Sequence, residues 1–79
     1  DEKISVYPNP VQSMLNIHLN NSGKNGQLKI YAQTGQLLIT KEIHAESYLE
    51  IDFSKLGRGV YFIDYQDNER RISKKILKY

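Results

Sequence analysis

A chain of 79 residues has room for one small domain, which buries only about 60–65% of the surface its unfolded form exposes. With no cysteine, disulfides, thiolate zinc sites and thiol nucleophiles are all excluded, and no apolar run approaches the ~18 residues of a membrane-spanning helix. The net charge of +2 hides a strong asymmetry. Arg70 to Tyr79 holds five of the eleven basic residues and no acidic one, leaving six basic against nine acidic residues, a net of −3, in positions 1–69.

No charged-then-apolar export signal stands at Asp1-Glu2-Lys3, and position 1 is not Met. The chain is therefore expected to be a piece of a longer protein.

Period-two alternation dominates, interrupted by turn residues every eight to twelve positions. Ile4 and Val6 begin a short strand that stops at Pro8-Asn9-Pro10. The two prolines push Tyr7 and Asn9 out of the helical region and remove two backbone donors. Leu15, Ile17 and Leu19 alternate with Asn16 and His18 as a half-buried strand. A polar loop is expected over Asn20 to Gly26.

Leu28 and Ile30 start a third strand, with Lys29 and Tyr31 on its other face. Gln33-Thr34-Gly35 makes the turn into a returning strand, Gln36 to Ile43, whose Leu37 and Ile39 are expected on one face. Leu49, Ile51 and Phe53 alternate with Glu50 and Asp52 in the cleanest such run. Ser54 to Gly59 turns the chain, with Leu56 expected to plug the core beneath.

Next, Val60 and Phe62 are expected inward, and Tyr61, Ile63 and Tyr65 on the opposite face. There the tyrosines read first as an outer covering of the sheet, which suits their β-propensity, and second as a contact patch. Asp67-Asn68-Glu69 is a turn signal, and Arg70 to Lys78 a seventh strand. Helical periodicity is missing throughout. Seven short strands in this length give an all-β domain, and a two-sheet sandwich suits the spacing better than a barrel.

Chemistry at a catalytic site finds little support. None of the serines sits in a G-x-S-x-G elbow. His18 and His44 lie in different strands and read as partly exposed strand residues. Asp64 and Asp67 match no calcium-loop spacing, and a solvated turn explains them better. No phosphate-cradling glycine loop is present. The expectation is a non-enzymatic domain with no metal, cofactor or small-molecule ligand.

Nucleic-acid binding is disfavoured as well, because the acidic body would repel phosphates. The tail leaves two readings open. It is an edge strand guarded by lysines against edge-to-edge pairing, or an edge strand whose exposed side a partner recognises. One face would hold Ile72, Lys74, Ile76 and Lys78, the other Arg71, Ser73, Lys75, Leu77 and Tyr79, and neither is clean.

Val6-Tyr7-Pro8-Asn9-Pro10, followed by Leu15-Asn16-Ile17, resembles the opening of the type A C-terminal sorting domains of the type IX (Por) secretion system. Ile30-Tyr31 with Gly35-Gln36-Leu37-Leu38 is similar to the family's "IYD-x-x-GK-x-V" hairpin. Ile51-Asp52-Phe53-Ser54-Lys55-Leu56 and Gly59-Val60-Tyr61-Phe62-Ile63 resemble its "IDLS-x-L-x-x-GVYF" stretch. Lys74-Lys75-Ile76-Leu77-Lys78 looks like its terminal basic-apolar motif. Each piece is weak alone; together, in order, they are specific. Ala32 stands where an acidic residue is usual, and Asp67-Asn68-Glu69 lacks a common glycine.

The resemblance implies an immunoglobulin-like sandwich, residues 1–79 forming one sorting domain behind a secreted cargo of Bacteroidota. It implies recognition by the type IX translocon and its shuttle components, passage through the periplasm, and delivery to the outer membrane, cell surface or exterior. In surface-attached members a sortase-like peptidase removes the domain, and the cleavage region would be Asp1, Glu2, Lys3, Ile4 and Ser5. The recognition motif it implies comprises Pro8, Asn9, Pro10, Gly59, Val60, Tyr61, Lys74, Lys75, Ile76, Leu77 and Lys78. Within the tail, Lys74, Lys75 and Lys78 are expected to steer and Ile76 and Leu77 to anchor. The alternative is an adhesion or carbohydrate-binding sandwich appended to a secreted enzyme. The lack of Trp and the spread of the tyrosines along the chain weigh against it.

Overall fold

The computed structural model describes residues 4–19 and 25–79. Asp1, Glu2, Lys3 and most of the expected loop over Asn20 to Gly26 lie outside the described residues. Seven strands follow in order: β1 (Ile4–Tyr7), β2 (Met14–Leu19), β3 (Asn25–Ala32), β4 (Leu37–His44), β5 (Tyr48–Asp52), β6 (Gly59–Gln66) and β7 (Arg71–Lys78). They form a three-stranded sheet, β1-β2-β5, and a four-stranded sheet, β4-β3-β6-β7, with antiparallel neighbours throughout. The third, sixth and seventh strands lie side by side in one sheet, as in immunoglobulin-like sandwiches.

Each sheet turns one face to a shared core. The smaller sheet and its flanks supply Ile4, Leu15, Ile17, Leu19, Ile51 and Phe53; the larger supplies Leu28, Ile30, Ile43, Tyr61, Ile63, Tyr65 and Ile76. Leu56 packs against this cluster from the turn after β5, as its place in the sequence predicts. Asp52 starts that turn by accepting the Ser54 N–H at 2.8 Å, an Asx-type bond.

Three expectations are corrected by the register. On β6, alternation offered two apolar faces, and the structure inverts the predicted choice. Tyr61, Ile63 and Tyr65 are buried, while Phe62 is 38% exposed and Val60 half-buried. The reason is cross-strand pairing. Tyr65 and Ile63 stand opposite Leu28 and Ile30 of β3, and opposite residues share a face. Buried tyrosines need partners for their hydroxyls, and both have them. Tyr61 donates to the Gly57 carbonyl at 2.6 Å, four residues upstream, and Tyr65 to Asp67 Oδ2 at 2.8 Å. The first is the tyrosine corner of immunoglobulin-like domains.

On β4, Leu37 and Ile39 do not share a face. The ladder shifts so that Ile30 meets Ile39 and Tyr31 meets Leu37, leaving Leu38 as an extra bulged residue. Leu37 thereby turns out to solvent, 47% exposed. Finally, Gly26 belongs to β3 rather than a loop. Tyr65 and the Gln66 carbonyl crowd its Cα so closely that a Cβ would meet them at 2.9 and 2.7 Å. A glycine inside this strand admits the neighbouring backbone.

Candidate recognition surface at the clasped terminal strand

Both ends of the described chain meet at β7. Its even-numbered residues bond to β6, so its odd-numbered N–H and C=O groups face the opposite, outer edge. There Asn9 acts as a short substitute strand. Its Nδ2 donates to the Lys75 carbonyl at 3.3 Å, and its Oδ1 accepts the Leu77 N–H at 3.0 Å. Val11 continues the contact through an isolated parallel bridge. Its N–H donates to the Leu77 carbonyl at 2.8 Å, and its carbonyl accepts the Tyr79 N–H at 3.0 Å. Pro8 and Pro10 cannot donate and are placed where no donor is needed. The peptide bonds Tyr7-Pro8 and Asn9-Pro10 are both cis. Two sequence motifs more than sixty residues apart are one structural unit.

The structure also sorts the five cations of the tail. Arg70 lies 3.4 Å from Asp67 and over the Tyr65 ring. Arg71 pairs with Asp64, Nη2 to Oδ2 at 2.7 Å and Nε within 3.2 Å of both oxygens. This hydrogen bonding, and the carboxylate's charge, hold the Arg71 guanidinium even more firmly protonated than usual. Lys78 is 7% exposed, and its Nζ donates to the main-chain oxygen of Tyr79 at 2.6 Å. Lys74 and Lys75 remain exposed with no acidic partner among the described residues. Of the expected steering lysines these two present their charge, and Lys78 does not.

The apolar residues of the tail divide in the same way. Ile76 is fully buried opposite Tyr61, whereas Leu77 is 41% exposed on the outer face of the sheet. Ile76 therefore anchors β7 in its own core. On the outer face, ladder positions align Leu37, Tyr31, Phe62 and Lys75 in one row across four strands, with Val60 and Leu77 in the next. Nothing in the sequence pattern pointed to this row, because the β4 bulge and the β6 face had to be known first.

Gly59, at the entry to β6, has φ 149, a left-handed conformation that a side chain would strain. Ile4 lies in β1 opposite Leu19, 2% exposed, and Ser5 opposite His18 is exposed. Asp64 and Asp67 serve the Arg71 pair and the turn after β6. Asp67 Oδ1 accepts the N–H groups of Glu69 and Arg70 at 2.8 and 3.0 Å. This carboxylate holds the turn that lacks the family's usual glycine. No group of three or more His, Asp or Glu among the described residues is placed to hold a metal ion.

The tyrosines are less scattered in space than in sequence. Tyr7, His18 and Tyr48 gather on the outer face of the smaller sheet, His18 at 5.6 and 4.8 Å from the two rings. The Tyr48 hydroxyl is already engaged, donating toward Asn16 Oδ1 at 2.6 Å and Glu50 Oε2 at 3.0 Å.

The chain is thus an all-β, immunoglobulin-like sandwich whose cationic terminal strand is clasped at one end by Asn9 and Val11. The family model described as the secretion system C-terminal sorting domain matches residues 5–79. The chain belongs to that family, and it is a C-terminal sorting domain of type IX secretion, in a family that is generally non-catalytic. The family indicates a signal that directs an attached cargo to the outer membrane, cell surface or exterior. No curated protein matches the chain.

Proposed function

We propose that the domain is a folded handle that the type IX translocon and its shuttle components recognise through the terminal strand. Residues 1–79 form one such handle behind an upstream secreted cargo that passes through the periplasm. The observation that carries this reading is the sorting of the tail: Lys74 and Lys75 keep their charge exposed, while every other cation of β7 and its entry is occupied within the fold. Leu77 and Phe62 add apolar area beside Lys75. Exposed charge steers encounter, and a small apolar contact holds the complex.

In surface-attached members a sortase-like peptidase then removes the domain and joins the cargo to anionic lipopolysaccharide. There the cleavage region is Asp1 to Ser5, and the burial of Ile4 in β1 favours a bond on its N-terminal side. Pro8, Asn9, Pro10, Gly59, Val60 and Tyr61 contribute indirectly, by shaping the clasp and the turn into β6 that hold β7 in place.

Removing Arg70 to Tyr79 would delete a whole strand and the core residue Ile76, confounding folding with recognition. The informative variant is Lys74→Glu with Lys75→Glu in a reporter fused to the domain. Export should fail while the melting temperature stays within a few degrees. Normal export of that variant would refute the reading.

A further inference from the structure

The outer edge of β7 is divided into two halves. From the Lys75 carbonyl to the Tyr79 N–H it is covered by Asn9 and Val11. Before that point the alternation turns the N–H and C=O of Arg71 and Ser73, and the N–H of Lys75, outward. Among the described residues these groups meet no partner. We propose that this half-edge is a strand-addition site for an extended acidic segment of a partner protein. The proposal rests on the sorting function only for its setting, and names the chemistry of the partner that function requires.

Length, charge and register all follow from the same geometry. An open edge over Arg71 to Lys75 accommodates about five residues of added strand, ~16 Å at strand rise. Lys74 and Lys75 are successive residues and project to opposite faces of the sheet. An incoming strand with carboxylates at neighbouring positions would set one beside each ammonium. Ile72, half-buried two residues before Lys74 on the same inner face, offers an apolar contact beside it. The Asn9 amide occupies the next hydrogen-bonding position, so the added strand must end there. This stop fixes register, which an unbounded edge would leave free to slip.

A second copy of this chain is the wrong occupant. Two β7 edges side by side would bring Arg71, Lys74 and Lys75 of both into one ladder, and like charges directly opposite are destabilising. An acidic segment removes that repulsion and adds main-chain bonds, as in other strand-addition complexes.

Ser73→Pro tests the site most directly. Proline removes one outward N–H and fills the edge with its ring, while the β6 bonds made by even-numbered residues stay intact. Ser73→Ala leaves the backbone unchanged. The probe is a capped five-residue peptide with two adjacent Glu flanked by Val, so that one carboxylate lies on each face of the added strand, titrated into the isotope-labelled 79-residue domain. Saturable shifts are expected at the amides of Arg71, Ser73 and Lys75. Ser73→Pro should weaken binding by at least about tenfold, as should Lys74→Glu with Lys75→Glu, and Ser73→Ala should not. Absence of saturable binding, shifts confined to other strands, or unchanged binding by Ser73→Pro would each overturn the proposal. Should Ser73→Pro lose its fold, the double glutamate variant carries the same decision. Reporter export separates the two ideas. If the glutamate variant is not exported and a folded Ser73→Pro is, the sorting function stands and strand addition falls. If both are exported, both fall.

Discussion

β6 and β7 are both eight residues long and pair along their entire length, yet their compositions obey different rules. β6 is central, with a neighbour on each side, and its inner face is filled by Tyr61, Ile63 and Tyr65. β7 is an edge strand. The core claims Ile76 fully and Ile72 in part, and the remaining positions carry charge or face solvent. A central strand is accounted for by burial. At an edge, residues that burial does not demand are available for recognition, and here those are Lys74, Lys75 and Leu77.

The sharpest way to break this comparison is a pair of truncations one residue apart. Ile63→Ala opens a cavity in the core and should cost ~2–5 kcal/mol by urea denaturation. Phe62→Ala, on the outer face, should cost about 1 kcal/mol or less. A larger loss at Phe62 would mean that β6 presents its other face to the core.

Tyr61→Phe keeps the ring and removes the hydroxyl bond to Gly57, so a loss of ~0.5–1.5 kcal/mol is expected. Asn9→Ala should destabilise by a similar or smaller amount, since its bonds are exposed. Its more telling readout is hydrogen exchange: the Leu77 amide should lose protection while the Ile76 amide, bonded to β6, keeps it. Equal loss at both would mean that Asn9 does not clasp the edge locally.

The Ser54 side chain and N–H bond to Asp52 and hold its carboxyl below the usual carboxylate range. A lowered folded value stabilises above the unfolded pKa of about 3.9 and is lost as pH falls through the folded value. The difference in melting temperature between the parent and Asp52→Ala should therefore be present at neutral pH and shrink in strong acid. The smallest effect on stability belongs to Lys74→Glu with Lys75→Glu, whose melting temperature should barely move. A large fall would put these lysines in service of the fold rather than of a partner.

Much of the architecture was legible in the sequence. Strand positions follow from Leu15-Ile17-Leu19 and Leu49-Ile51-Phe53, and turns from Gly35 and from Asp67-Asn68-Glu69. The faces of β4 and β6 were not legible. Alternation fixes which residues share a face but not which face is buried when both are apolar, and a single bulge at Leu38 reverses parity beyond it. The candidate site was half legible. Its basic residues and the Pro8-Asn9-Pro10 motif stand out in the sequence, but their contact spans a separation that no local pattern encodes.

By itself the sequence determined the all-β class, the approximate strands, the family and the concentration of positive charge at one end, because these depend on local alternation, turn chemistry and composition. Only the tertiary structure decided which cations stay exposed, which half of the β7 edge stays open and which face of β6 is inside. Those outcomes depend on cross-strand register and on Asn9, Asp64 and Asp67 reaching groups that the folded chain alone brings near.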